Sequence, residues 1–234
     1  MKNTKQSKTK LVERVFDDAF EKYDLMNDLM SLGIHRIWKK RLIDWMNPKK
    51  NDHLIDIASG TGDIAESFLK RIQFQGEVTC VEPNKLMFGK GKEKLKKYKQ
   101  VNWNCSVAEK LPFKNETFDT YSVSFGIRNF SNIELSLKEA KRVLKNGGRI
   151  FCLEFSKVDN EILNKIYKLY SKSIPYLGKY ITGKSEPYEY LVKSIQDFYT
   201  QEELLKIFKE NGFYKVEYRN LSGGIAAIHS GWKI

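Results

Sequence analysis

The chain has 234 residues, of which 41% are hydrophobic, enough for one ordinary α/β domain with a buried core. Its formal net charge of +12 favours a negatively charged partner such as nucleic acid or an anionic membrane, although a general bias toward lysine explains the charge equally well. No apolar run approaches the roughly 18 residues that a membrane-spanning helix needs, so no such segment is expected.

The N-terminal region is predicted to be a leader followed by two helices. Residues 1–10, MKNTKQSKTK, are polar and basic with no apolar segment behind them, so we expect a disordered leader rather than a signal peptide. Apolar residues then repeat at intervals of three and four, first from Val12 to Tyr23 and again from Ile34 to Trp45, which is the pattern of amphipathic helices. Residues 11–47 are therefore expected to form a helical lid ahead of the first strand.

Strand-like and helical segments alternate along the rest of the chain. The predicted strands are HLIDIA, EVTCVEP, VNWNCSV, FDTYSVSF, RIFCLEF, YKVEYRNL and GIAAIHSGW. Asn84, Ser131 and Thr200 are the expected N-caps of helices, the last two within capping boxes. This order predicts a doubly wound, mostly parallel, seven-stranded sheet whose last pair is antiparallel. Residues 157–199 interrupt the alternation and are expected to form a helical insert within a single domain spanning residues 11–234.

The three cysteines are not clustered in the sequence. Cys80, Cys105 and Cys152 each lie in an apolar, strand-like context, so we predict buried, reduced thiols rather than metal ligands. His53 and His229 show no evident partner and are interpreted as structural. No metal site is expected.

The stretch HLIDIASGTGDIAESFL, residues 53–69, joins a buried strand directly to a helix. Such a junction leaves backbone N–H groups unsatisfied at the helix start, and glycines let a ligand approach them. The spacing Gly60-x-Gly62-x-x-Ala65 fits the relaxed fingerprint of dinucleotide-binding loops, and an ordinary strand–turn–helix corner fits it as well. Glu82 ends the next strand, about 20 residues further on, where an acid binds ribose hydroxyls.

NAD(P) and S-adenosylmethionine are both compatible with this loop, and three further features favour S-adenosylmethionine. Asp56 lies in the strand end, four residues before Gly60. Glu109 follows the third strand and Asp119 opens the fourth. A Gly-Gly turn precedes the fifth strand. In this order, over residues 54–155, the set resembles the class I S-adenosylmethionine-dependent methyltransferases.

Longer segments resemble one methyltransferase family more closely. YDLMNDLMSLGIHRIW (residues 23–38), SFGIRNF (124–130), RVLKNGGRIFCLEFS (142–156) and YEYLVKSI (188–195) are similar, in order, to segments of the UbiE family of ubiquinone/menaquinone-biosynthesis C-methyltransferases. The chain departs from the family's usual pattern at two positions. Asn146 stands where Pro is usual, and Val107 stands where Asn is common.

The resemblance implies S-adenosylmethionine-dependent C-methylation of the ring of a polyprenyl hydroquinone. The acceptor is then demethylmenaquinol, 2-polyprenyl-6-methoxy-1,4-benzoquinol or both. Two alternatives stay open from the sequence. One is a methyltransferase that acts on RNA or on another small aromatic acceptor, and the other is a quinone-pathway scaffold without activity.

The same resemblance implies which residues contact the cofactor. The matching positions are Thr61, Glu82, Val107, Ala108 and Ser124. The loop adds Gly60 and Gly62, while Asp56 is expected to orient the loop or to offset the sulfonium charge, unless it is only a turn residue. Glu82 is expected to accept from both ribose hydroxyls, because two carboxylate oxygens suit a vicinal diol.

The chemistry implied for the acceptor requires a base and a stabilising cation. A ring carbon becomes a good nucleophile when a phenol of the ring loses its proton. The candidate bases are His35, Asp28 and Glu154. Arg128 is expected to stabilise the phenolate and Asn129 to orient the ring, although a helix-packing histidine or plain turn residues fit the same positions.

A polyprenyl acceptor implies contact with a membrane surface. We expect a cytoplasmic protein that binds reversibly at the inner face of the membrane and does not bind nucleic acid. Other quinone-biosynthesis enzymes or a second copy of the chain are open as further partners. The helical lid and the tyrosine-rich segment 162–190 are expected to form the opening. The lysines expected near anionic headgroups are Lys39, Lys40, Lys168, Lys172, Lys179 and Lys184.

Overall fold

A computed structural model describes residues 23–234 of the chain. The leader predicted at residues 1–10 and the helix predicted to begin at Val12 therefore lie outside the described residues, apart from the last position of that helix pattern, Tyr23. The helices are α1 (Tyr23–Ser31), α2 (His35–Met46), α3 (Asp63–Arg71), α4 (Lys85–Leu95), α5 (Ile133–Val143), α6 (Glu161–Thr182), α7 (Glu186–Gln196) and α8 (Gln201–Glu210). The strands are β1 (His53–Ile57), β2 (Glu77–Val81), β3 (Val101–Asn104), β4 (Phe118–Ser124), β5 (Leu144–Phe155), β6 (Tyr214–Leu221) and β7 (Ala226–Trp232).

The seven strands form one sheet in the order β3-β2-β1-β4-β5-β7-β6. Strands β1 to β5 pair in parallel, whereas β7 pairs antiparallel with both β5 and β6. The predicted doubly wound, mostly parallel sheet with an antiparallel last pair is therefore confirmed. The strand order reverses between β1 and β4, and in such sheets ligands bind outside the carboxyl ends of the strands at that reversal.

Helices cover both faces of the sheet and create two hydrophobic cores. The first core joins α1, α2 and α3 to the sheet and includes Trp38, Leu42 and Phe68, all almost fully buried. The second core packs α5 and α8 against the opposite face and includes Leu137 and Phe208. The N-terminal helices are thus part of the main core rather than an appendage, and they reach the edge of the sheet where β1 ends.

Two of the three predicted N-caps are confirmed. Asn84 accepts hydrogen bonds from the backbone N–H groups of the first turn of α4, and Thr200 forms a capping box with α8. The predicted cap Ser131 is wrong, because the neighbouring Asn132 caps α5 instead. Both the N–H and the hydroxyl of Ser131 donate to the carboxylate of Glu109, each at 2.8 Å, so a distant acid occupies the groups that a capping box would have used.

The segment that interrupts the alternation contains α6 and α7, so its predicted helical character is confirmed. The two helices pack closely where Gly178 meets the ring of Tyr188, since a Cβ at residue 178 would lie 2.2 Å from that ring. The hydroxyl of Tyr170 donates to the carbonyl of Leu29, which fastens α6 to α1. Of the helices between residues 23 and 234, none is long and apolar enough to cross a bilayer.

Two smaller expectations change with the structure. Cys80 and Cys152 are buried as predicted, but Cys105 is exposed because its strand ends one residue earlier, at Asn104. The two structural histidines do have partners: His53 Nε2 lies 3.0 Å from the hydroxyl of Thr79, and His229 Nε2 lies 2.9 Å from a backbone carbonyl. Burial lowers the pKa of His229 to about 4, so it is neutral at physiological pH.

Candidate functional site

The loop between β1 and α3 contains two glycines with positive φ, Gly60 and Gly62, and they have different roles. Gly60 has φ +56°, and no atom lies within 4 Å of the place where its Cβ would be, so a ligand can approach the loop backbone closely there. Gly62 has φ +83° and caps α3. A Cβ on Gly62 would lie 2.5 Å from Leu95 Cδ1, so this glycine serves helix packing, and it is absent from the described residues that line the cavity.

A cavity of about 170 Å³ opens at the carboxyl ends of β1, β2 and β4. Seven of the eight positions predicted to contact the cofactor line it: Asp56, Gly60, Thr61, Glu82, Val107, Ala108 and Ser124. These residues come from four separate segments of the sequence, and the parallel order of the strands brings the segments together. The cavity therefore lies at the reversal of strand order, where the fold class predicts a ligand.

Glu82 lies at the end of β2 with its carboxylate buried against the loop. Its Oε2 accepts from the N–H of Gly60 at 2.8 Å, and its Oε1 accepts from the N–H of Asn84 at 2.9 Å. Burial raises the pKa of Glu82 to about 7. Each carboxylate oxygen can accept a second hydrogen bond, so the group fits a vicinal diol such as that of a ribose.

Asp56 lies inside β1 and is almost completely buried. Its Oδ1 accepts from the hydroxyl of Ser122 at 2.6 Å, while its Oδ2 has no hydrogen-bond partner among residues 23–234. Burial raises the pKa of Asp56 to about 7. Ser124 also presents a buried hydroxyl that no described residue satisfies. Unsatisfied polar atoms on a cavity wall indicate a polar ligand, and a carboxylate favours a cationic one.

An ion-pair cluster that the sequence interpretation missed forms another part of the wall. Lys39 from α2 lies 2.8 Å from the carboxylate of Asp63, the first residue of α3, and Lys94 lies 2.5 Å from the same group. Burial by itself would raise the pKa of Asp63, but the two lysines hold it well below its usual range. Lys39 is thus largely buried at the cavity, which contradicts its predicted place near membrane headgroups.

Asn27 is a second lining residue that the sequence interpretation missed. It lies on α1 and is 1% exposed. Neither its side-chain oxygen nor its side-chain nitrogen has a hydrogen-bond partner within the described part of the chain. In the sequence, Asn27 was marked only by its place in the segment 23–38, which resembles the family. Its place on the cavity wall follows from the packing of α1 over the sheet.

Arg128 and Glu154 form a buried ion pair beside the cavity. Arg128 Nη1 lies 2.9 Å from Glu154 Oε1 and also donates to the carbonyl of Phe125. Burial raises the pKa of Glu154, although Arg128 opposes the shift. Arg128 lines an adjoining cavity of about 610 Å³, which shares Phe130 and Ser131 with the first cavity. The pair is therefore next to the loop cavity rather than on its wall.

Asn129 lies between the two cavities. It lines the first, and its Oδ1 accepts from the hydroxyl of Tyr190 at 2.9 Å, while Tyr190 lines the second. The side-chain nitrogen of Asn129 is buried, with no partner that the structure describes. Asn129 therefore presents a free donor of the kind predicted for a residue that orients a ring.

His35 and Asp28 lie at the junction of α1 and α2. His35 is buried, with Nδ1 3.0 Å from Ser31 Oγ and 3.5 Å from Asp28 Oδ1. Asp28 binds Arg36 through both carboxylate oxygens, and those hydrogen bonds lower the pKa of Asp28. Neither residue is among the described residues that line the two cavities. The arrangement suits a helix-packing role at least as well as the predicted role of base.

Comparison with known sequences gives consistent matches over the whole chain. A model of the ubiE/COQ5 methyltransferase family matches residues 1–233. A protein of Ruegeria sp. (strain TM1040), named ubiquinone/menaquinone biosynthesis C-methyltransferase UbiE, is 47% identical over 227 residues, covering 95% of this chain and 90% of its own. A protein of Rhizobium leguminosarum bv. trifolii with the same name is 45% identical over 234 residues, covering 97% and 90%.

Solved structures share the fold at low sequence identity. A SAM-dependent methyltransferase from Aquifex aeolicus is 18% identical with a TM-score of 0.63, over 84% of this chain and 89% of its own. An N-methyltransferase from Haemonchus contortus, in complex with phosphomonomethylethanolamine and S-adenosylhomocysteine, is 14% identical with a TM-score of 0.62, over 84% and 52%. These likenesses confirm the predicted Rossmann-like methyltransferase fold.

Proposed function

Because the chain belongs to the ubiE/COQ5 methyltransferase family, we propose that it transfers a methyl group from S-adenosylmethionine to a ring carbon of a polyprenyl hydroquinone. The names of its relatives support a demethylmenaquinol acceptor, a 2-polyprenyl-6-methoxy-1,4-benzoquinol acceptor or both. The observation that carries the proposal is the cavity at the ends of β1 and β2, where the family match coincides with the buried acceptor Glu82 and the open loop at Gly60.

The residues on the cavity wall suit S-adenosylmethionine, which when bound supplies a methyl group activated by a positively charged sulfur. Glu82 would accept hydrogen bonds from the two ribose hydroxyls. Val107 and Ala108 would offer backbone groups to the adenine, in place of the asparagine side chain that is common at residue 107. Asp56 provides a buried negative charge toward the cationic end of the ligand.

The residues at the end of β4 suit a phenolic acceptor. The free donor of Asn129 can hold a ring oxygen, and the hydroxyl of Tyr190 fixes the orientation of that amide. Arg128 places a positive charge beside the second cavity, which lowers the pKa of a phenol bound there. Together these groups favour the phenolate, whose ring carbon is the better nucleophile.

Of the three candidate bases, Glu154 is the one in direct contact with a residue of the second cavity, because Arg128 lines that cavity, although Glu154 itself is not among the described residues that line either cavity. Burial raises the pKa of Glu154, which is the direction that favours uptake of a proton from the acceptor. When Glu154 takes up the phenolic proton, the phenolate replaces Glu154 as the anionic partner of Arg128, so the net charge of the three groups together is unchanged. Asp28 has the opposite properties, since its pKa is lowered and Arg36 occupies its carboxylate.

We also propose that α6 meets the membrane that carries the acceptor. Five apolar side chains on one side of α6 are between 60% and 92% exposed: Ile162, Ile166, Leu169, Tyr176 and Tyr180. An adjacent row on the same helix consists of exposed lysines: Lys165, Lys168, Lys172 and Lys179. An apolar row beside a cationic row suits the interface of an anionic bilayer. Helix α1 connects the two regions, because its Asn27 lines the first cavity and its Leu29 carbonyl accepts a hydrogen bond from Tyr170 of α6.

The test of the proposed reaction uses S-adenosylmethionine with a deuterated methyl group. The protein is incubated with reduced short-chain analogues of the benzoquinol and the naphthoquinol, and the products are analysed by mass spectrometry. Transfer of one labelled methyl group to a ring carbon is expected, with much less transfer to the oxidised quinones because they cannot form a phenolate. A protein that binds S-adenosylmethionine but methylates neither quinol would contradict the proposal, and transfer to added RNA would replace it.

A further inference from the structure

The side chain of Asn27 is a buried amide whose hydrogen-bonding groups face a cavity without a partner. It is 1% exposed, and both its oxygen and its nitrogen are unsatisfied by residues 23–234. Buried amide groups in folded proteins are nearly always hydrogen-bonded. Because Asn27 lines the same cavity as Glu82 and the Gly60 loop, the missing partner is expected to be a ligand of that cavity.

The groups around Asn27 indicate which part of the ligand it meets. Lys39, Asp56 and Asp63 line the same cavity, and the charge of Lys39 partly opposes the rise that burial causes in the pKa of Asp56. This wall therefore offers an ammonium group, two carboxylates and an amide. Such a mixture of donors and acceptors matches a zwitterion, which has an α-carboxylate and an α-ammonium on adjacent atoms.

We infer that Asn27, with Lys39, binds the α-carboxylate at the amino-acid end of S-adenosylmethionine, while the unpaired oxygen of Asp56 faces the α-ammonium. The inference rests on the proposed function, because it concerns the same cavity and the same cofactor. Asn27 Nδ2 donates to the carboxylate, and the ammonium of Lys39 retains donors beyond the one directed at Asp63. The hydroquinone acceptor has no carboxylate, so it gives Asn27 and Lys39 no comparable role.

The position of Asn27 depends on how α1 is held. Its carbonyl accepts from the hydroxyl of Ser31 at 2.6 Å, and Tyr170 binds the carbonyl of Leu29 two residues further along the same helix. Neither contact involves the Asn27 side chain. A variant that loosens α1 without changing the amide is therefore available as a control.

The test compares two ligands that differ only at the amino-acid end. S-adenosylhomocysteine carries the zwitterion, and 5′-methylthioadenosine lacks it while keeping the adenine, the ribose and the sulfur. Dissociation constants are measured by calorimetry, so no turnover is needed. Asn27→Ala should weaken S-adenosylhomocysteine about tenfold or more and change 5′-methylthioadenosine less than twofold, in line with the loss of a charge-assisted hydrogen bond.

A second variant protects the test against misfolding. Asn27→Asp keeps the shape of the side chain but places a negative charge against the ligand's carboxylate. It should therefore lose more affinity for S-adenosylhomocysteine than Asn27→Ala does. Tyr170→Phe loosens α1 and should affect both ligands equally or not at all. The inference is overturned if folded Asn27 variants bind both ligands with the affinity of the wild type, or if their affinity for both ligands falls by the same factor. Failure of the wild type to bind either ligand would instead reject the proposed function.

Discussion

The backbone N–H of Gly60 donates to Oε2 of Glu82 at 2.8 Å, which ties the loop after β1 to the acid after β2. The carboxylate of Glu82 thus has two roles. It fixes the loop that admits the ligand, and it retains lone pairs for the ligand itself. Substitutions at Glu82 are therefore expected to affect the loop and the ribose contact together.

Replacing Glu82 by glutamine is expected to weaken S-adenosylmethionine binding. The amide offers one acceptor oxygen instead of two, and it brings an N–H₂ group toward the N–H of Gly60 or of Asn84. Hydrogen bonds to charged groups contribute about 1.5–3 kcal/mol, so the dissociation constant should rise about tenfold or more. Calorimetry on the folded variant gives the answer, with Glu93→Gln as a control because Glu93 is exposed on α4. Unchanged affinity in Glu82→Gln would remove Glu82 from the ribose site.

Cofactor binding is expected to depend on pH because two cavity carboxyls have raised pKa values. Burial brings the pKa of Asp56 and of Glu82 to about 7 in the ligand-free protein. A cationic ligand favours the ionised forms, so binding should release protons and affinity should increase from about pH 5.5 to about pH 7.5. Calorimetry in two buffers with different ionisation enthalpies measures the released protons, and Asp56→Asn should release fewer. Uptake of protons on binding would contradict the predicted release and the predicted rise of affinity with pH.

The same shift predicts an effect on stability. The pKa of Asp56 is about 7 when folded and near 3.8 when unfolded, so the folded protein binds more protons between these values. The contribution of Asp56 to stability is then greatest below about pH 4 and declines toward pH 7, because over this range the carboxyl ionises in the unfolded chain but stays protonated in the folded one. Asp56→Asn should raise the free energy of unfolding at pH 8 by up to about 4 kcal/mol, with the gain vanishing near pH 4. Urea unfolding across this pH range tests it, and a variant that is less stable than the wild type at pH 8 would refute it.

The parts of the fold that depend on local pattern were predictable from the sequence. The strands, the loop at Gly60 and the acid Glu82 follow from hydrophobic runs and turn residues that are close together in the chain. The cap at Ser131 was wrong because its competitor Glu109 is 22 residues away and reaches it only after the chain folds. Short-range rules cannot include a partner at that distance.

The candidate site shows the same division. Asn27 and Lys39 were missed as cavity residues because their positions depend on how α1 and α2 pack over the sheet. His35 was proposed as a base from its ordinary pKa, without the contacts that surround it. Its neighbour Ser31 lies four residues earlier, the spacing of one helix face, so that contact was within reach of the sequence.

The contribution of the Arg128–Glu154 pair to stability is expected to be separable from its contribution to turnover. Arg128→Met alone leaves a buried acid unpaired and should reduce stability by about 3–5 kcal/mol. The double variant Arg128→Met with Glu154→Leu should recover most of that stability, because it removes both charges. Turnover should stay at least a hundredfold below wild type in both variants, while S-adenosylmethionine affinity changes less than about threefold. Urea unfolding and steady-state kinetics measure the two effects, and substantial turnover in the stable double variant would place the phenolate contact elsewhere.

The exposed row on α6 predicts salt-sensitive binding to anionic vesicles. Each lysine near the surface contributes about 1 kcal/mol at low salt, and the contribution falls within a Debye length, so several lysines should hold the protein on vesicles at low salt and release it at high salt. Leu169 is 73% exposed in the middle of the row, and Leu169→Asp should weaken co-sedimentation by placing a charge in the interface. Leu135→Asp is the matched control, since Leu135 is 44% exposed on α5 and lies outside the row. Equal binding to neutral and anionic vesicles would assign the lysines to compositional bias, and equal loss in both leucine variants would mean that α6 is not the contact.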